Sequence, residues 1–444
     1  MEGEDLDASI LSIAGPALLA LAADPLANLV DTAWVGHLGA VPLAAVGVAV
    51  TVQNLFTKVV NVPLLSVTTS AVASTGGETA EISKVTNATV RVGLAVGTAQ
   101  AALLLAGGAQ AVQLLGVDGA DAGLLGASLG YLRIRALGAP AAVLILTILG
   151  SFRGLGDTRT PLVATVLGNV VNVGLDPVLI YGLGMGVNGA AWATVFAEYL
   201  TVYVLAAKLK EQHGIGLGGD AEGVGTLSLV GRTGLLALRS MGVVGVFTLA
   251  TSLATRSGAT YAAAHQVAVQ LWLSTSLLAD ALAVAAQSLL GQKLAAGERR
   301  GAKALLGRVA VYATGMGALL ALGLGGGRSF LPGLFTEDPE VLGVIATIMP
   351  WVILTQPVTS CAFVGDGVLF GASDFNFATV TMLTAAGLAA ATMLVGFDAA
   401  DGARMQLVWL GLAVLMAVRA GMVLFRYFQV GGKGPFEDIR TSEA

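Results

Sequence analysis

The chain has 444 residues, of which 55% are hydrophobic and 11% charged, with a mean hydropathy of +0.82; ordinary soluble domains carry roughly 25% charged residues. This excludes a water-soluble enzyme, and at about 20 apolar residues per span the length suits roughly ten to fourteen bilayer-crossing helices, the size of a polytopic transporter. The net charge of −5 says little about partners, because the placement of Lys and Arg, not their sum, orients a membrane protein.

The acidic start, Met1 to Asp7, runs straight into an apolar stretch and resembles neither a positively charged secretory signal nor an acid-poor transit peptide. Apolar runs broken by Gly, Pro and charge predict twelve helices, at 8–35, 42–74, 88–116, 123–150, 161–181, 187–207, 232–255, 260–291, 303–326, 340–370, 376–396 and 405–428. The expected class is an all-α polytopic membrane protein. Its N-terminal lobe is 1–207, its linker 208–231, and its C-terminal lobe 232–444. The 60 glycines have no three-residue period and suit close helix packing. The ten-residue alternation of a membrane β-barrel is absent. Cys361 is the single cysteine, so neither an internal disulfide nor a cysteine-based zinc site is expected.

Loop charge gives the orientation. Arg256, Arg328 and Arg404 fall on one side, whereas Lys84, Arg91, Arg153, Arg159, Lys208, Lys210, Lys293, Lys433, Arg440 and others fall on the opposite side with both ends. Both termini are therefore expected on the cytoplasmic or equivalent organelle side. The halves also echo each other: the segment from Asp31 lines up with that from Thr251, and Phe152–Asp157 with Phe370–Asp374. Six spans per repeat imply parallel repeats related by an axis along the membrane normal, two lobes around a central cavity, and alternating access.

Charges inside spans are costly and rarely idle. In the first span Asp24, Asn28 and Asp31 share one helix face, beside Pro25; Pro16 is a second kink. In the fifth, Asn169, Asn172 and Asp176 repeat the pattern before Pro177. If the faces meet, their carboxylates repel in a poorly hydrated site and are suited to hold a proton or coordinate Na⁺. Structural hydrogen bonding of kinked helices is the plainer reading. Asn54, Lys58 and Asn61 share a face of the second span, where Lys58 would draw in an anion or merely snorkel. Arg239, Asp280 and Asp366 fall in C-terminal spans, as cavity residues or as an Arg–Asp lock. Glu198 is a further proton-carrier candidate. Arg133 and Arg135, two apart, cannot face the same way.

Other patterns are discounted. Gly184-Met-Gly186-Val-Asn-Gly189 lacks the strand that a dinucleotide site needs, and no phosphate-cradling G-x-x-x-x-G-K-[ST] occurs. Energy must then come from an ion gradient. Gly154-Leu-Gly-Asp157 matches an intramembrane aspartyl protease motif, but Asp157 opens a charged loop.

Taken together, Asp24–Gly36, Phe152–Pro161, Asn172–Pro177 and Gly182–Ala191 resemble the multidrug and toxic compound extrusion (MATE) transporters over essentially the whole chain. Lys58–Ser70 and Gln270–Gln287 resemble the DinF-like branch and its plant organic-acid exporters. The resemblance implies two six-helix lobes and efflux of a small organic anion, amphipathic metabolite or drug-like compound coupled to H⁺ or Na⁺. It implies a cation site at Asp31, Asn172, Asp176 and Thr194, without other cofactor or nucleic acid. It further implies a monomer in the lipid bilayer of a plastid envelope or plasma membrane. Gln287 stands where bacterial relatives often have a carboxylate, and the seventh span has no acid, which counts against a C-lobe Na⁺ site. A lipid or lipid-linked sugar flippase is the competing expectation.

Overall fold

In the computed structural model, residues 2–114 and 122–429, with Phe436 and Ile439, are described. The described residues are mostly helical, with no strand among them. The helices are α1 (Glu2–Gly36), α2 (Ala40–Phe56), α3 (Val62–Ala73), α4 (Thr79–Leu114), α5 (Ala122–Gly154), α6 (Arg159–Pro177), α7 (Val187–His213), α8 (Thr226–Arg256), α9 (Ala259–Ala295), α10 (Arg299–Gly327), α11 (Pro339–Leu354), α12 (Gln356–Gly371), α13 (Phe375–Val395) and α14 (Asp401–Phe428). Eleven spans are long and apolar enough to cross a membrane, and a twelfth forms if α11 and α12 count as one bent span. The chain is a multi-pass integral membrane protein.

The span expected at 340–370 is broken, with a 51° bend between α11 and α12. Pro357 has no N–H to offer the preceding turn, so the helix restarts after Thr355. The second span instead stays joined through a wide π-helical turn, Thr57–Asn61, ahead of Pro63. Here Pro63 withholds the donor that the Val59 carbonyl would take in a regular helix. The expected linker at 208–231 is also shorter. Lys208 pairs with Glu211 at 2.8 Å within α7, since charged residues are good helix formers. Gly214, at φ 70°, ends the helix with its N–H on the Lys210 carbonyl. Only 214–225 separates α7 from α8. There Asn87 receives the Gly218 and Gly219 N–H groups and donates to the Gly216 carbonyl.

The chain groups into two compact units, Gly15–Gly234 and Leu235–Ala444 with Met1–Ala14. In the first, Val35, Ala49, Val52, Leu104, Leu132, Ile180 and Ala191 form one apolar core, and Ile148, Phe152, Leu205 and Leu209 belong to another. In the second, Ala250, Leu253, Trp272, Ile345, Ala389, Met393, Trp409 and Leu412 belong to one large core. Asp7 pairs with Arg308 at 3.0 Å, tying the start of α1 to α10 inside this unit.

The turns set the register of the repeat. Gly39 at φ 118° opens α2, and Gly258 at φ 105° opens α9. The Asp157 N–H bonds to the Phe152 carbonyl and the Asp374 N–H to that of Leu369, each at 2.9 Å. Phe152 therefore matches Leu369 rather than Phe370, and Asp31 matches Ala250 rather than Thr251. Close approaches agree: a Cβ on Gly150 would lie 2.9 Å from the Leu65 carbonyl oxygen, and one on Gly367 would lie 2.3 Å from that of Ala283.

Candidate functional site: the α1–α6 carboxyl pair

Two proline-interrupted helices build the site. Pro25 lies inside α1, and Pro177 ends α6, which passes into a π-helical turn at Val178–Gly182. Pro177 cannot donate to the Val173 carbonyl one turn earlier, and the wide turn absorbs the mismatch, with the Leu183 N–H reaching the Val178 carbonyl at 2.9 Å. Asp176 sits immediately before it.

Asn172 Nδ2 donates to Asp31 Oδ2 at 2.8 Å, joining α6 to α1. The Asp31 and Asp176 carboxyls face each other. Asp176 is 1% exposed, and neither of its oxygens, nor Asp31 Oδ1, receives a hydrogen bond from a donor. Two facing carboxyls with a single donor between them are stable when a proton or a small cation sits in the gap, because otherwise both charge and desolvation oppose burial. One turn outward, Tyr181 Oη donates to the Trp34 carbonyl at 2.6 Å, and the two rings meet edge to face at 6.2 Å. This clamps the end of α1 to the wide turn.

Behind the pair, Arg135 of α5 bonds Glu198 of α7 at 2.9 Å and, through Nε, Gln53 of α2 at 3.1 Å. Its charge also acts on Asp31. Glu198 is thus an ion-pair partner of Arg135, while Arg133 is exposed. A Cβ on Gly138 would lie 2.4 Å from Glu198 Oε2, so the glycine makes room for this carboxylate.

The remaining expected residues divide. The Thr194 hydroxyl donates to the Ala190 carbonyl of its own helix at 2.9 Å, not to an aspartate. Asn28 is exposed and Asn169 half-buried. Asp24 lies on α1, its side chain outside the described residues. Asn54 and Lys58 are exposed, but Asn61 is 3% exposed and accepts a hydrogen bond from Gln100. These three do not share the face that regular helical spacing predicts, because the wide turn at Thr57–Asn61 rotates Asn61 inward.

In the C-terminal unit, Arg239 of α8 and Arg419 of α14 both donate to Oδ2 of Asp366 on α12. Asp280 of α9 is half-buried, and its charge acts on Arg239. Arg239, Asp280 and Asp366 are thus neighbours, with Arg419 as a member that spacing arguments did not select. Its signal was its presence as a charge inside a span. Gln53, Gln100 and Tyr181 gave none, since uncharged polar residues in a helix usually serve their own backbone. Among the described residues no group of three His, Cys, Asp or Glu side chains is placed to hold a metal ion.

The comparisons with known proteins agree with this architecture. The MatE family model matches residues 16–178 and 236–395. Protein DETOXIFICATION 44, chloroplastic, of Arabidopsis thaliana is 43% identical over 426 residues, covering 92% of this chain and 80% of the relative. DNA damage-inducible protein F of Escherichia coli K12 is 30% identical over 435 residues, covering 93% of this chain and 90% of the relative. A crystal structure of a mutant of the Vibrio cholerae MATE transporter VcmN superposes with a TM-score of 0.87 at 19% identity, covering 96% of each chain.

Proposed function

Because the chain belongs to the MatE family of efflux transporters, we propose that it is a secondary antiporter that exports a small organic anion or amphipathic metabolite in exchange for H⁺ or Na⁺ by alternating access. The observation that carries this reading is the facing carboxyl pair Asp31/Asp176, in which three of the four oxygens receive no donor and Asn172 of α6 holds the fourth, on Asp31 of α1. A proton or Na⁺ entering the pair removes the repulsion between α1 and α6. Its departure restores that repulsion next to Pro25 and the π-helical turn, where the helices lack regular backbone bonding and bend most easily. Thr194 joins the site only after its hydroxyl leaves the Ala190 carbonyl. In this reading the protein works as a monomer with no bound cofactor beyond the coupling ion. The relatives named chloroplastic support a plastid envelope, with both termini on the stromal side.

The test is transport by purified protein in proteoliposomes under separately imposed pH and Na⁺ gradients. Asp31→Asn and Asp176→Asn are each expected to abolish gradient-driven transport while leaving substrate counterflow in place. Full gradient coupling in both variants would remove the pair from the mechanism.

A further inference from the structure

The C-terminal unit holds a polar centre in which two guanidinium groups share one oxygen of a carboxylate. We propose that Arg239 and Arg419 form the binding site for a carboxylate group of the transported molecule, with Asp366 as the internal anion that shares their donors. This rests on the organic-anion reading above and assigns its substrate contact.

Both arginines lie deep in spans, with side chains 12% and 4% exposed, and Asp366 is 13% exposed. A buried charge is retained only when paired, and one arginine would suffice to neutralise Asp366 and fasten α12 to a neighbour. The charge of Asp280 on α9 offsets the second arginine, so it is the spare hydrogen-bond donors, not a net positive charge, that mark this centre.

Donor counting points the same way. Both hydrogen bonds to Asp366 land on the same oxygen, Oδ2. The Nε of Arg239 and the Nε of Arg419 are buried without an acceptor. Nε together with one terminal nitrogen is the fork that grips a carboxylate with two parallel hydrogen bonds. On each arginine one prong of this fork is engaged and the other is not.

The surroundings favour a planar anion. The Arg239 guanidinium lies over the Phe370 ring at 5.2 Å and that of Arg419 over Phe363 at 5.0 Å. These rings hold the guanidinium planes in place without consuming hydrogen-bond donors. Arg419 also leans on Met416 Sδ at 3.0 Å, a weak acceptor. The other charge acting on this centre is Asp280, from α9. It opposes a second anion and so limits the site to one carboxylate group at a time.

The experiment measures transport kinetics of full-length protein in proteoliposomes with succinate and tricarballylate as probes and tetraphenylphosphonium as a cationic control. Thermal stability of each variant is recorded alongside. Arg239→Gln is expected to raise KM for both carboxylates by about tenfold, the equivalent of one lost charge-assisted hydrogen-bonded contact, with kcat little changed. Arg239→Lys keeps the charge without the fork and recovers part of the loss. Asp366→Asn removes the competing internal anion and is expected to lower KM for the carboxylates, a result no structural lock predicts. Unchanged carboxylate KM in Asp366→Asn, with a fall only in thermal stability, would overturn the proposal and leave a lock. Wild-type carboxylate transport with Arg239→Gln unaffected would overturn it while the antiport reading stands. Transport of the phosphonium with no carboxylate transport would overturn both this site and the organic-anion reading.

Discussion

The two halves share a scaffold and differ in what it carries. Counting eight residues back from Gly39 and Gly258 pairs Asp31 with Ala250. Counting 15 and 19 residues on from Asp157 and Asp374 pairs Asn172 with Ala389 and Asp176 with Met393. Ala250, Ala389 and Met393 are all fully buried members of the large apolar core. The reverse also holds, since Arg239 and Asp366 correspond to Ala20 and Leu149. The same helix register thus supports a carboxyl pair in one half and packed alkyl groups in the other. Turns and small-residue contacts define the fold, while the chemistry resides in a few exchanged side chains.

The largest effect should come from erasing the difference at its polar end. Asp31→Ala gives the first half the residue that Ala250 supplies in the second, and on the proposed mechanism complete loss of gradient-driven uptake in proteoliposomes is expected. Writing the polar residue into the other half tests the converse. Met393→Asp places an unpaired carboxyl in a packed core and should cost about 3–5 kcal/mol, read as a collapse of the detergent melting curve. The shared scaffold can be probed at Gly150 and Gly367, where Ala would press a methyl group against a neighbouring helix carbonyl. Each change should cost about 1–3 kcal/mol, with Gly367→Ala the more severe. Negligible losses at both positions would show that neither contact is a tight packing point of the shared scaffold. The smallest effect belongs to Tyr181→Phe, which removes one hydrogen bond to the Trp34 carbonyl. About 1 kcal/mol of stability should be lost, with coupling retained.

Much of this was legible in the sequence because membrane burial simplifies the alphabet. Scarce charge announced the spans, and acidic and amide residues three and four apart beside prolines located Asp31, Asn172 and Asp176 on two facing helices. What failed depended on backbone detail that side-chain spacing does not encode. The π-helical turn ahead of Pro63 turned Asn61 away from Lys58, and Pro357 split a span that hydropathy reads as continuous. Thr194 illustrates a different limit: a helical hydroxyl always has its own backbone carbonyl available, so its type alone cannot tell which acceptor it uses. Arg419 was visible as a charge but had no partner at helical spacing, since Asp366 meets it across two helices.

The Trp34–Tyr181 clamp gives the α1–α6 site an intrinsic optical probe. Trp34 lies three residues from Asp31, with its indole Nε1 buried and without an acceptor. The chain has five tryptophans, so a version retaining only this one would report from beside the carboxyl pair. Its emission would test the proposed loading of the pair by a proton or cation, with no label attached and no substrate needed.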